Sequence, residues 1–579
     1  MNSIYLVLFG LTSFYLGYRF YSKYIAKNIF DLDENIITPA HEFNDGVDFV
    51  PTPKHILFGH HFTSIAGAAP IIGPCIASYW GWLPAIIWVV IGTIFIGAVH
   101  DFGSLVISLK EKGNSIADIT GKFINKEIRI IFLIFVMLLT WLVLAVFAMA
   151  ISGLFVSIPT SVIPINIEII IALFIGIIIY KKKLNATIPS IIALILLYFF
   201  IWVGTQFPID FQTLLNIDKS QAINMWILLL FGYSAIASLL PVWSLLQPRD
   251  YINSHQLFVG LALLFAGIFY AAPIVDAPMI RTQIEDGSPP IFPMLFVTIA
   301  CGAISGFHGL VSSGTTSKQV DKLKHARMIG YGGMLGEGTL ALASTLCAVS
   351  GIALVNNCTI PSVGIVENLN WAVYYDSWAH ATTNKAVAFV LGGGALLEQI
   401  GISAEIAKTT MAVLVISFAA TTLDTATRIQ RFIINELSSS LKIKLFQNRY
   451  ISTILAIIPA IILAMWKIQI PGSESFKQAG WILWPIFGAT NQMLAGLILM
   501  ILTLYFWKKG KKVILLFIPM IFIMSIAFIS LYTKTIQFKT SNNNLLFGLG
   551  IILILLFIKM IYEGIKYYFK NKLTISVNK

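Results

Sequence analysis

Charge is what this sequence has least of. Of its 579 residues only 11% are Asp, Glu, Lys or Arg, whereas 57% are hydrophobic and the mean hydropathy is +0.83. Soluble globular chains carry about 25% charged residues. The deficit therefore indicates a polytopic membrane protein, with room for many spans of about 20 residues. Cysteine is scarce as well. Cys75, Cys301, Cys347 and Cys358 are scattered without metal-ligand spacing, so no disulfide framework is inferred, and Cys75 and Cys301 read as packing residues within apolar runs. No GxxxxGK[ST] loop is present, which excludes an ATP-driven engine of that type. Neither G-x-S-x-G nor H-E-x-x-H occurs, and neither an enzymatic activity nor a cofactor is expected. The first twenty residues lack a basic leader and an A-x-A site, and Arg19, Lys23 and Lys27 follow the apolar run, so this segment reads as a retained membrane helix rather than a signal peptide.

What is present is a long series of apolar runs. After the N-terminal helix and a polar, acidic stretch from about 21 to 54, they lie near 55–78, 83–107, 130–157, 164–180, 186–205, 222–247, 255–275, 290–313, 328–355 and 403–427, then near 449–467, 480–506, 513–533 and 544–568. The net charge of +12 does not signal a nucleic-acid surface, because the basic residues fall in short clusters between the runs. These clusters include Lys110 to Arg129, Lys181 to Lys183, Arg249, Lys318 to Arg327, Arg428 to Lys444 and Lys508 to Lys512, all on one side if the spans are as given. The positive-inside rule then puts them in the cytoplasm, with the N-terminus outside and the C-terminus inside. The segment 384–400 would invert every later cluster if it spanned, so it reads as a re-entrant or surface half-helix in an outer region of about 356–402.

The most informative stretch is His60 to Pro74, HHFTSIAGAAPIIGP. Two prolines and two glycines within an apolar span should unwind the helix, and a broken helix in a bilayer survives only where it is buried in protein or lines a cavity. A similar run, Ile236-Ala-Ser-Leu-Leu-Pro241-Val, recurs five spans later and has a second proline downstream at Pro248, as the first has at Pro74. An odd number of helices per repeat makes the two copies inverted, and paired interruptions in inverted halves point to a transporter's substrate site. Gly67, Ala68, Pro70, Ser238 and Pro241 are therefore candidate substrate-binding residues. Broken ends offer N–H groups to an anion and carbonyls to a cation.

HHFTSIAGAAPIIGP and AVHDFGSL, together with GFHGLVSSGTTSKQ (306–319), GYGGMLGEG (330–338), TTLDTATRIQRF (421–432) and LWPIFGATNQMLAG (483–496), resemble the carbon starvation protein A family of bacterial inner-membrane transporters. The resemblance covers about 45–500. It implies an amino-acid–polyamine–cation-transporter-like (LeuT-like) all-α fold with the inverted five-plus-five repeat, one extra N-terminal helix and about four extra C-terminal ones. It also implies uptake of peptides, or proton-coupled uptake of pyruvate, during nutrient limitation. The expected organisation is an N-terminal helix and acidic cytoplasmic loop (1–54), a transport core (55–430, with repeats at about 55–205 and 222–430) and C-terminal helices (431–579).

Several polar residues then become candidates, each with a plainer alternative. His60 and His61 are proton carriers or substrate ligands, or else an interfacial pair. His308 is a candidate near the substrate. Asp101 is a coupling-ion candidate or the partner of a cation such as Arg428. Ser312 and Ser313 could bind sodium with carbonyls of the unwound helix, or simply join helices. Glu337, among closely spaced glycines, is a candidate proton site, because a lone carboxylate at mid-membrane costs about 2.5–3.5 kcal/mol. Asp424 and Arg428, at i and i+4, read as an ion pair in a gate or latch. A metal site of His60, His61 and His100 is disfavoured because nothing fixes its geometry. Trp484, Asn491 and Gln492 receive no transport role. The expected partners are thus a small-molecule substrate, a coupling H+ or Na+ ion and the lipid bilayer, with no nucleic acid. Two rivals stand beside the importer: a membrane-embedded enzyme with a histidine base, for which no activated nucleophile is evident, and a nutrient sensor, for which no stretch is long enough to form a signalling domain.

Overall fold

The computed structural model describes all residues except 33–35, 182–186, 286–287, 361–363, 384–385, 470–475 and 578–579. Lys182 and Lys183 of the basic clusters thus lie outside the described residues. The protein is an almost wholly helical membrane protein. Among the described residues, eleven helices are long and apolar enough to cross a bilayer, and one bent pair brings the number to as many as twelve. The only strands among the described residues form two short antiparallel hairpins, β1 (Asn357–Ile360) with β2 (Gly364–Glu367) and β3 (Lys467–Gln469) with β4 (Phe476–Gln478).

The first helix, α1 (Ser3–Leu16), continues through wider turns to Phe30, further than its apolar run suggests. Then comes the interrupted span, α2 (Lys54–Ala66) and α3 (Ala69–Ala77). Its cause is local. Gly67 adopts φ 44° and ψ −162°, a conformation essentially confined to glycine. Pro70 then occupies the first turn of α3, where its missing N–H costs nothing. The span bends by 45°.

Next come α4 (Trp82–Lys110), α5 (Lys126–Ser157), α6 (Pro159–Ile179), α7 (Ile188–Gln206), α8 (Lys219–Leu239) and α9 (Leu246–Ala271). The run near 222–247 is therefore not a helix broken at Ser238–Pro241. It ends at Leu239, the chain turns through Pro241, and Pro248 falls in the first turn of α9, where a proline is tolerated. This turn lies level with the start of α2: Val242 N donates to the Val47 carbonyl, and Gln247 Nε2 lies 2.9 Å from Thr52 Oγ1. Gly67 lies thirteen residues further along α2, about 20 Å at 1.5 Å per residue. The two proline motifs thus occupy different depths.

A second interruption lies where the sequence reads as continuous. The run near 290–313 is divided into α10 (Ile291–Thr298), α11 (Ala300–Ala303) and α12 (Gly306–Gly314), with Ile304 and Ser305 extended between the last two. A Cβ on Gly73 would lie 2.4 Å from the Thr298 carbonyl oxygen, so the two broken spans cross in direct backbone contact. Asn491 holds this break. Its Oδ1 accepts from Phe307 N at 3.0 Å and from Ser305 Oγ at 3.2 Å.

The remaining helices are α13 (Leu323–Leu354), α14 (Val387–Gln399), α15 (Ala404–Ser440), α16 (Arg449–Met465), α17 (Ala479–Lys508), α18 (Ile514–Thr540) and α19 (Asn544–Lys572). At thirteen residues, α14 is too short to cross, in line with a half-helix. It is buried rather than superficial, and packs against α9, α15 and the end of α13. The 37-residue α15 is the central post, packing against α2, α5, α8, α9, α14 and α16.

Candidate functional site

His60 and His61 are both fully buried within the protein. Neighbours on a helix diverge by about 100°, so the two rings reach different partners. His60 Nδ1 lies 2.5 Å from Asp250 Oδ2 of α9, and its Nε2 lies 3.3 Å from Gln319 Nε2. His61 Nδ1 lies 2.9 Å from Thr316 Oγ1, while its Nε2 has no hydrogen-bond partner.

His308, in the first turn after the second break, lies between two carboxylates. Its Nδ1 is 3.0 Å from Asp101 Oδ2 and its Nε2 is 3.3 Å from Glu337 Oε2. Asp101 Oδ1 in turn meets His100 Nδ1 at 2.7 Å. All four are fully buried. The helix that carries His308, α12, packs directly against α2. Asp101 therefore pairs with histidines and not with Arg428. The glycines around Glu337 bring α13 against α2: a Cβ on Gly333 would lie 2.9 Å from His61 Cδ2, and one on Gly336 would lie 2.8 Å from the Phe62 ring. Among the described residues, the ion partners of these two carboxylates are imidazoles alone. Buried carboxylates with no fixed cation beside them persist by sharing or holding protons. The group is thus chemically suited to take up and release protons.

A second buried cluster lies on the other side of α2. Arg249, read from sequence as a loop cation, is 1% exposed in the first turn of α9. Its Nε lies 3.1 Å from Glu168 Oε1, and its Nη1 lies 2.5 Å from Asp424 Oδ2 and 2.7 Å from Tyr233 Oη. Tyr233 donates to Asp424 at 2.8 Å, and Ser417 donates to Glu168 at 3.0 Å. α15 joins this cluster to the first break. Thr421 and Thr422 donate to the carbonyls of Thr63 and Ser64, which the end of α2 leaves without helical partners. Thr425 meets Ser64 Oγ at 3.1 Å, and Ser64 lies 3.3 Å from Asp250 Oδ2.

The local ion pair expected between Asp424 and Arg428 does not form. Arg428 donates to Asp48 at 2.7 Å and to the carbonyls of Ala237 and Leu240. It thereby ties α15 to the loop before α2 and to the turn holding Ser238 and Pro241. Asp45 shapes that loop: Val47, Asp48 and Phe49 donate backbone N–H groups to it at 2.8–2.9 Å. Partial burial pushes its carboxyl up, but these amides outweigh it and hold the carboxyl below the ordinary aspartate value.

Among the described residues, neither Ser312 nor Ser313 makes a hydrogen bond to the unwound helix. Ser313 Oγ donates to Gly309 O and accepts from Ile116 N, and buried Ser312 Oγ has no hydrogen-bond partner. From this part of the chain, Thr316 and Gln319 reach His61 and His60 of α2. No metal-binding group of three or more His, Cys, Asp or Glu occurs among the described residues. A cavity of about 180 Å³ reaches both broken spans, lined by Ala69, Thr298, Cys301, Trp378, Trp484 and Lys534. Gly67, Ala68 and Pro70 are buried and do not line it. Sequence reasoning missed Glu168, Tyr233, Asp250, Thr316 and the roles of Asn491 and Trp484. The one signal available was Arg249-Asp250 close behind Pro248, a charged pair at the start of an apolar helix.

Residues 2–530 match the family described as carbon starvation protein CstA. A peptide transporter CstA of Campylobacter jejuni is 34% identical, over 88% of this chain and 77% of its own. The Escherichia coli pyruvate/proton symporter BtsT is 32% identical, over 88% of this chain and 78% of its own. Among solved structures, a manganese transporter of Eremococcus coleocola aligns over 90% of this chain and 99% of its own, with 13% identity and a TM-score of 0.41. The sequence match along most of the chain establishes that this protein belongs to the carbon starvation protein CstA family of membrane transporters.

Proposed function

We propose that the protein is a secondary active importer of small carboxylates, pyruvate or short peptides, driven by protons across the cytoplasmic membrane during nutrient limitation. The observation that carries this reading is the buried group His308, Asp101 and Glu337, with His61 packed against Gly333 of the same helix as Glu337, where α12 and α2 of the two interrupted spans meet. Intramembrane ionisable residues mark substrate or proton paths, and interrupted helices mark the substrate site in transporters. The names of the relatives, peptide transporter and pyruvate/proton symporter, support the same substrates and, for one of them, proton coupling. Protons are favoured over sodium because a buried group of imidazoles and carboxylates lies beside α2, while the Thr63 and Ser64 carbonyls at its end are already taken by Thr421 and Thr422. In this reading substrate sits at Gly67–Pro70, the histidine–carboxylate group carries the proton, and the halves 55–205 and 222–430 rock as an inverted repeat. The basic clusters face the cytoplasm, with the N-terminus outside, and the Arg428 latch holds the inner side shut.

The test is uptake of labelled pyruvate and of labelled dialanine into proteoliposomes, with an inward proton gradient, an inward sodium gradient or neither. Accumulation of either solute with the proton gradient alone is expected. Lack of uptake of both under every gradient would overturn the importer reading, and accumulation with sodium alone would overturn the choice of ion.

A further inference from the structure

Resting on the importer reading, we infer that Arg249 forms a binding subsite for a carboxylate group, and that Asp424 takes up a proton when that carboxylate binds. Arg249 lines a cavity of about 70 Å³ together with Phe155, Asn166, Trp226, Tyr233 and Ala420. Arg249 is 1% exposed, yet its Nη2 has no hydrogen-bond partner, and neither has Asp424 Oδ1. A donor without a partner on the best carboxylate-binding side chain, beside an aromatic cavity, is the arrangement a carboxylate ligand completes. At about 10–15 Å³ per water-sized particle, 70 Å³ holds about five to seven of them. That suits a three-carbon oxo acid or the C-terminal end of a peptide, but not a whole peptide.

The charges dictate the coupling. Arg249 already faces two carboxylates, Glu168 at 3.1 Å and Asp424 at 2.5 Å. The other titratable groups around Asp424 are Tyr233 on α8, Asp250 beside Arg249 on α9, His60 of α2 paired with Asp250, and Arg428 one turn along α15. A third anion on one guanidinium in a buried site would be strongly opposed. It becomes compatible when Asp424 accepts a proton from water at Oδ1 and releases Arg249 Nη1 to the incoming carboxylate. One negative charge and one proton then enter together. Pyruvate would bind without net charge, and a zwitterionic dipeptide would bind with one added positive charge.

The experiment uses the purified full-length protein in detergent. Binding of labelled pyruvate and labelled dialanine is measured with pyruvamide and dialanine amide as competitors, and proton uptake is read with an indicator dye in weak buffer. At least one of the two acids should bind with about one proton taken up, the amides should compete at least tenfold less well, and comparing the two acids identifies the source of the carboxylate. Asp424→Asn should keep binding but lose the proton uptake. Because a variant at the cluster risks misfolding, Ala420→Leu fills the cavity without touching the charges and should weaken binding at least tenfold in protein that remains monodisperse. Equal competition by the amides, proton uptake that persists in Asp424→Asn, unchanged binding in monodisperse Ala420→Leu, or no binding of either acid would each overturn the inference. Binding without uptake in vesicles would instead sink the transporter reading alone, and uptake unaffected by Ala420→Leu would sink only the subsite.

Discussion

Asp424 and Arg428 stand one helical turn apart on α15 and do not pair: Asp424 turns to Arg249 and Arg428 turns to Asp48. Sequence spacing makes an i, i+4 bond geometrically available. The fold supplies each residue with a better-placed partner from another segment, the first deep among α6, α8 and α9, the second at the loop before α2.

The latch makes a prediction about coupling energies. In a double-mutant cycle on thermal stability, Asp48→Asn and Arg428→Gln should show a coupling of about 1.5–3 kcal/mol, as for hydrogen bonds to charged groups. The cycle joining Asp424→Asn and Arg428→Gln should show less. The reverse order would place the ion pair within the helix after all.

His308 and Glu337 should separate proton-driven uptake from exchange. Glu337→Gln and His308→Asn are expected to lower uptake driven by a proton gradient at least tenfold. Exchange of internal for external substrate needs no net proton movement and should fall far less. Equal loss in both assays would mean that the residues hold the structure together rather than carry the proton.

The first break makes a steric prediction. Gly67→Ala forces a side chain into φ 44°, with its Cβ 3.0 Å from Thr422 Oγ1, at a cost of about 1–3 kcal/mol. Gly232→Ala, with open space around it on α8, should be neutral or stabilising by about 0.5–1 kcal/mol. Pro70→Ala should reduce uptake more than membrane insertion, whereas Pro241→Ala, in a turn and not in an intramembrane break, should change both together. Thermal melts and uptake on the same preparations check these four variants.

Asp45 sets an acid limit on the loop it shapes. Its carboxyl lies below its ordinary value in the folded loop, so its contribution is complete above an unfolded value of about 3.9. The contribution is lost as pH falls through the lower folded value. Hydrogen exchange of the Val47, Asp48 and Phe49 amides, taken relative to the intrinsic rate at each pH, should therefore stay slow down to about pH 4 and rise below it. In Asp45→Ala it should be fast throughout, and a flat profile in the parent loop would refute the role.

Much of this protein is local and so was decided by sequence alone. The membrane class follows from the lack of charge, and the position of nearly every helix follows from runs of apolar residues, because each span buries its own backbone bonds. The break at Gly67–Pro70 was legible for the same reason, since one glycine's φ and one proline's missing N–H act within a few residues. Two interruptions were misjudged. Ser238–Pro241 carries a similar motif but ends its helix at the level where α2 begins. Ile304–Ser305 has no proline, and its break is held by Asn491, almost 190 residues away. The partners of the buried charges could not be read either. His308 with Asp101 and Glu337, and Arg249 with Glu168 and Asp424, each span from tens to some two hundred residues. Only tertiary structure chooses among such pairings, because a buried charge takes whichever counter-charge the packing of helices brings within about 3 Å.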